Sequence, residues 1–238
     1  GEKSVANFDE DSLTMGVAAA QDCLKGVDRK SVDSIYFAST TPAYKEKQTA
    51  PFFPYALNMK SNIFVTDLGD SIRAGTNALK VALDAVKAGN AKHACVIASD
   101  TRKGSPRSEF EQIFGDGAAS FLVGKDNVIA SLEAFSSYAH EILDFWQTKD
   151  DNFIKTWEDR WVLTEGYLKN VSSSLKDFLK NNSLTPKDFN KVVLYAPDAR
   201  RHREMSGMLG FDYKTQVQNP FFDTVGNTGC AFALMQLA

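Results

Sequence analysis

Short apolar runs alternate with helix-period segments along most of this chain, and that alternation restricts the fold more than any other feature. The runs Ser34–Ala38 (SIYFA), 62–67 (NIFVTD) and 94–98 (ACVIA) have strand length and carry β-branched or aromatic residues. Residues 72–87 form the strongest helical pattern between them, closed by Gly89. Residues 62–67 read as a buried strand, followed by the turn Gly69-Asp70-Ser71 and then the helix. Strand, tight turn, helix and strand in this order favour an α/β sheet over a helix bundle or a β-sandwich.

The rest of the chain fills in around this unit. Asp11 and Ser12 cap a helix through about Leu24, with Leu13, Val17, Ala20 and Leu24 on one face. Residues 51–57 read as helical, and residues 117–123 with 128–134 as a strand pair. From Tyr138 to Trp161 the rhythm breaks. Phe145, Trp146, Phe153, Trp157 and Trp161 stand among charges with weak periodicity, as in a loop and short-helix excursion that covers something. Helix returns at 163–181, a short turn of helix opens at Thr185-Pro186, residues 192–195 read as a strand, and helices follow at 200–209 and 229–237.

Charge and cysteine usage exclude several classes. The formal net charge of −3 gives no basic field for a nucleic-acid partner. No apolar run approaches the roughly 20 residues of a membrane span, and the polar opening is unlike a secretory signal. Cys23, Cys95 and Cys230 are far apart and form no CxxC pair, which argues against a zinc ribbon and a disulfide framework. A reducing cytoplasm is the expected setting. His93 and His140 have no second ligand at helical or hairpin spacing, so no metal site is expected.

Several segments resemble the hydroxymethylglutaryl-CoA synthase and ketoacyl-ACP synthase III branch of the thiolase superfamily. The opening GEKSVANFDEDSLTMGVAAAQDCL is similar to that branch's first helix region, and STTPAYKEKQT (39–49) to a loop approaching the active site. DLGDSIRAGTNAL (67–79) resembles the nucleophile elbow and its helix, and FGDGAASFLVG (114–124) the strand after a Gly-Asp-Gly turn. LDFW (143–146) and EGYLK (165–169) are similar to the excursion and the helix that starts the second half. LYAPD (194–198) and VGNTGCA (225–231) take the places of the histidine and asparagine loops. The matches run in order over essentially the whole chain.

The resemblance implies an α/β, thiolase-like αβαβα layered fold of two similar halves, truncated at both ends. The divisions expected are 1–135 for the N-terminal half, 136–162 for the excursion and 163–238 for the C-terminal half. It also implies a dimer formed through a sheet edge near the nucleophile strand, expected at 94–98.

Joining acyl thioesters through carbon requires a thiolate, a base and donors for an oxyanion. In the similar enzymes a Cys, a His, an Asn and, in the synthases, a Glu supply them. Carried over by position, Asn227 matches, whereas Ile72 stands at the cysteine's place, Tyr195 at the histidine's and Thr40 at about the glutamate's. An alkyl side chain can neither attack nor leave. Ser71 is either a helix cap or a displaced nucleophile, and Cys230 either a buried small hydrophobe or a reactive thiol. Tyr195 either packs locally or moves a proton, as tyrosines do in thiolase-fold aldolases that lack the cysteine. Arg200 and Arg201, in a basic run with His202 and Arg203, either form a solvated helix face or hold CoA phosphates. Asp116 is expected to fix its turn.

Two functions follow. One is a hydroxymethylglutaryl-CoA synthase-like enzyme on acyl-CoA thioesters, an acyltransferase or an acyl-CoA aldolase of altered mechanism, with CoA thioester as substrate and no metal. The other is a non-catalytic pseudoenzyme scaffold. Partners implied are a second thiolase-fold chain, in a homodimer or a heterodimer with a cysteine-bearing paralogue, and a small OB-fold zinc protein. No nucleic acid and no membrane are expected.

Overall fold

A computed structural model describes residues 2–148 and 150–238. Gly1 of the opening segment and Lys149 of the excursion lie outside the described residues. The chain divides into two compact units: residues 1–102, 113–129 and 221–238 form the first, and residues 103–112 and 130–220 the second.

The first unit is built on a four-stranded sheet in the order β2-β1-β3-β4, from β1 (Ser34–Ala38), β2 (Phe64–Leu68), β3 (Ala94–Asp100) and β4 (Gly117–Val123). β1 pairs in parallel with both β2 and β3, and β3 pairs antiparallel with β4. The two-residue period of a strand splits the apolar runs between two cores. Tyr36, Ala38, Ala94, Val96 and Ala98 face one of them, while Ile35, Phe37, Cys95 and Ile97 face the other. Both faces are covered, which is why β1 and β3 read as unbroken apolar runs.

A helix covers each face, and each approaches on small residues. In α1 (Ser12–Cys23) the buried positions are Ser12, Gly16 and Ala20. A Cβ on Gly16 would stand 3.1 Å from Ile97 and 3.2 Å from Phe53. Asp11 caps this helix reciprocally: Thr14 N donates to Asp11 Oδ1 and Asp11 N to Thr14 Oγ1, each at 2.8 Å. α3 (Ala74–Ala88) buries Ala74, Gly75, Ala78, Ala82 and Val86 and ends on Gly89 at φ 83°. The short α2 (Phe52–Ala56) puts Phe53 into the α1 side of the core.

The sheet corrects three expectations. Residues 94–98 are not an edge, because β3 lies between β1 and β4. β2 is the free edge beside β1 and is only partly buried, with Phe64 58% exposed. Residues 128–134 form no strand: their composition suits pairing, but no ladder reaches them among the described residues, and Ile129 is fully exposed.

In the second unit, β5 (Phe145–Trp146) and β6 (Lys155–Thr156) form a small antiparallel hairpin inside the excursion. α4 (Glu109–Ile113) supplies Phe110, whose ring meets Phe145 edge-on at 5.5 Å. α5 (Asp159–Trp161) leads through a π-helical stretch, Val162–Leu168, into α6 (Lys169–Asn181). α7 (Ala199–Met208) buries Met205 beside Leu209, Phe211 and Val217, with Tyr167, Val171 and Leu175 packed on them. The strand expected at 192–195 is a single parallel bridge, Val192 to Val217. The next carbonyl in that register, on Leu194, would need the N–H of residue 220, which is Pro220 and has none; the Tyr195 carbonyl accepts from the Tyr167 hydroxyl at 2.8 Å. The last 18 residues return to the first unit as a 3-10 turn, Gly229–Ala231, and α8 (Phe232–Leu237). Among the described residues no helix is long and apolar enough to cross a membrane.

Candidate functional site

In a parallel sheet the carboxyl ends of the strands point their loops to one side, where ligands are usually held. β1, β2 and β3 share that direction here. Thr40 follows β1, Ile72 follows β2 and Asp100 closes β3.

Asp100 organises this end. It is fully buried, and among the described residues five donors reach its carboxylate. Oδ1 accepts from Ser39 Oγ at 3.1 Å, Thr40 N at 2.6 Å, and Thr41 N and Oγ1 at 3.2 Å. Oδ2 accepts from Cys230 N at 2.8 Å. One carboxylate thus ties the loop after β1 to the loop that carries Asn227. The Cys230 thiol adds a contact to the Ala38 carbonyl at 3.3 Å. Gly75, one turn past Ile72, closes the arrangement, because a Cβ there would lie 2.2 Å from the Cys230 carbonyl oxygen. Asp100 was not among the candidates read from sequence. Its signal is a carboxylate closing a strand that is buried throughout, and its partners lie about 60 and 130 positions away.

Asn227 is 1% exposed, and its Oδ1 accepts from Gly229 N at 3.1 Å. That bond fixes the side-chain amide, leaving Nδ2 as its donor branch. Its backbone is pinned as well: Asn227 N donates to Ile113 O at 2.8 Å and Asn227 O accepts from Gly115 N at 3.2 Å. Thr40 is half-buried, and its Oγ1 is buried with no hydrogen-bond partner among the described residues. Ile72 is half-buried in the turn that precedes α3, where Asp70 takes φ 63°. Ser71 Oγ accepts from Arg73 N at 3.2 Å in the turn before α3, whose N-cap is Arg73 without a side-chain cap bond.

The three thiols are held protonated. Burial, then the neighbouring Asp100 carboxylate, pushes Cys230 well above its ordinary value. Burial pushes Cys95 up to about 12 and raises Cys23. A thiolate is the nucleophilic form, so none of these sulfurs is poised to attack. The Asp116 carboxylate accepts from Ala6 N at 2.8 Å and so ties its turn to the chain's opening segment.

The second unit carries the other candidates. Tyr195 is half-buried, and burial followed by the Tyr195 neighbour raises the Tyr167 hydroxyl that bonds its carbonyl. The basic run divides when α7 forms. Arg200 is exposed and Arg201 half-buried, with Arg201 N on the Asp198 cap at 2.9 Å. His202 turns fully inward, and desolvation lowers its pKa and favours the neutral ring. Arg203 lies over the Tyr213 ring at 5.0 Å. Among the described residues no group of three or more His, Cys, Asp or Glu could hold a metal ion.

Comparison with known proteins agrees with this architecture. The family model for 3-oxoacyl-[acyl-carrier-protein (ACP)] synthase III matches residues 66–139, the span from β2 past β4. The hydroxymethylglutaryl-CoA synthase of Pyrobaculum aerophilum is 29% identical over all of this chain and 68% of its own length. That of Methanopyrus kandleri is 28% identical over 98% of this chain and 67% of its own. Among solved structures, a hydroxymethylglutaryl-CoA synthase complexed with CoA superposes with a TM-score of 0.87 at 19% identity, over 99% of this chain and 63% of that one. The 3-oxoacyl-[acyl-carrier-protein] synthase III of Aquifex aeolicus also gives 0.87, at 20% identity, over 99% and 76%. The chain therefore spans about two thirds of the length of these proteins. The chain has the fold of these thiolase-like proteins, and its sequence is similar to the hydroxymethylglutaryl-CoA synthases and, over residues 66–139, to the ketoacyl-ACP synthase III family.

Proposed function

We propose that this protein acts on acyl-CoA thioesters, making or breaking a carbon–carbon bond without a cysteine nucleophile at the elbow. The observation that carries the reading is the Asp100 clamp. It holds the loops of Thr40 and Asn227 at the carboxyl end of the sheet, beside an elbow that presents Ile72. In this reading the frame of a thioester-condensing site is kept while the alkyl side chain of Ile72 stands in the nucleophile's place. A CoA-bound relative of the same fold supports the ligand class.

In this reading the Asn227 amide donates to the thioester oxygen, and the Tyr195 hydroxyl moves the proton of the β-hydroxyl during aldol cleavage or addition. No acyl-enzyme forms, so Ile72 is no obstacle. Arg200, exposed on α7, and Arg201 hold the CoA phosphates, for which guanidinium forks are suited. The setting is cytoplasmic.

The test is cleavage of 3-hydroxy-3-methylglutaryl-CoA, followed as release of acetoacetate or acetyl-CoA. Turnover by the native chain that falls roughly a hundredfold or more in Tyr195→Phe supports the reading. Turnover that is unchanged in Tyr195→Phe contradicts it.

A second reading, a scaffold subunit, has one observation in its favour. β2 is a free sheet edge that leads straight into the elbow, with Phe64 exposed on it. Such an edge pairs readily with another chain, here a second copy or a cysteine-bearing paralogue, with an OB-fold zinc protein as a further partner.

A further inference from the structure

Arg102 follows β3 by two residues and is 7% exposed. Its guanidinium carbon sits 4.2 Å from the centre of the Phe114 ring. Its Cδ lies 2.7 Å from the point a Cβ on Gly229 would occupy, and Asp100 Oδ2 lies 2.2 Å from the same point. Arg102 is therefore packed against the loop of Asn227, on the side of the Asp100 clamp. Its Nη1 is buried and has no hydrogen-bond partner among the described residues.

A guanidinium donor removed from water and left unbonded is costly. Asp100 does not relieve it, since that carboxylate already accepts from five neutral donors. Thr40 Oγ1, on a residue whose N–H is one of those donors, and Ser99 Oγ, on the residue before Asp100, are also buried with no partner among the described residues. Orphaned groups on residues tied to Asp100 at the ends of two neighbouring strands point to a ligand that bonds there.

The ligand's chemistry follows from charge and valence. Asp100 and Arg102 together are neutral, so an added carboxylate would bring an unbalanced charge beside Asp100. One orphaned nitrogen asks for one acceptor oxygen, where a carboxylate would ask for a fork of two. A neutral carbonyl oxygen satisfies both conditions. Resting on the thioester reading above, we infer that Arg102 Nη1 donates to the carbonyl oxygen of the acyl thioester. When the α-proton leaves or the Cα–Cβ bond breaks, the electron pair moves onto that oxygen, and the fixed positive charge strengthens the bond as it does so.

The test compares acetyl-CoA with S-ethyl-CoA, the thioether in which a methylene replaces the carbonyl, by titration calorimetry, with free CoA as baseline. The native chain is expected to bind acetyl-CoA roughly tenfold more tightly, the scale of a hydrogen bond from a charged donor. Arg102→Met is expected to bind the two alike while melting no lower than the native chain, because it removes an unsatisfied donor and keeps an apolar stem on Phe114. Arg102→Lys is expected to keep part of the preference. Equal binding of the two by the native chain overturns the inference and leaves the thioester reading standing, as does a preference that persists in Arg102→Met. Binding of neither thioester nor free CoA overturns both. A lower melting temperature in Arg102→Met with the preference intact makes Arg102 a structural residue only.

Discussion

Replacing Asp100 by asparagine turns one of its oxygens into a donor that faces donors. With Ser39, Thr40, Thr41 and Cys230 all directed at the carboxylate, either amide orientation leaves buried groups unsatisfied. Asp100→Asn is expected to cost about 3 kcal/mol, the upper end for such a buried group, read as a fall in the denaturation midpoint. An unchanged midpoint would mean the clamp contributes nothing to holding the two loops. Gly75→Ala fails for a different reason. Its Cβ would lie 2.2 Å from a backbone oxygen, which no side-chain rotation can relieve. About 1–3 kcal/mol of overpacking is expected, measured in the same way. At this scale the sequence revealed caps and not hubs. Asp11 announced its helix because its partner Thr14 is three residues away, whereas Asp100 resembles any strand-ending aspartate until chain segments about 60 and 130 residues distant meet on it.

Between elements, Asp33 does at the amino end of the sheet what Asp100 does at the other. Asp33 N donates to His93 O at 2.9 Å, Asp33 O accepts from Phe64 N at 3.0 Å, and the carboxylate takes Lys60 Nζ at 2.7 Å and Lys92 N at 2.8 Å. Those bonds, Lys60 first, lower its pKa from 3.8 to about 2. A depressed carboxylate stabilises the fold above its unfolded pKa and ceases to as pH falls through the folded one. This contribution is therefore present above about pH 4 and gone by about pH 2. Melting temperature against pH is expected to fall over that window, and Asp33→Asn to flatten the fall. An identical acid limb in the variant would remove Asp33 from the account. β1 and β3 were legible as apolar runs because both of their faces are buried. Residues 128–134 misled for the same reason: composition reports what a side chain prefers, while a strand needs a neighbour.

For the whole molecule, the order of units along the chain was the least legible feature. The final 18 residues pack with the first unit, and nothing in their composition announces it. Motif order carried the resemblance and the fold, since separate short matches agreed on one frame. It did not carry the sheet edges, which follow from pairing: 94–98 is interior, and β2 and β4 are the outer strands of this sheet. If the β2 edge joins two chains, Phe64→Lys is expected to shift the sedimenting species from dimer to monomer, because a charge on an edge strand opposes pairing. A dimer that persists in the variant excludes β2 as the interface.

The central claim, chemistry on an acyl thioester with no covalent acyl-enzyme, is tested most directly by intact-protein mass spectrometry after incubation with acetyl-CoA and acetoacetyl-CoA. The account predicts an unmodified mass for this chain under both. An acyl adduct mapped to Ser71 or Cys230 would contradict it and restore a nucleophile to this site.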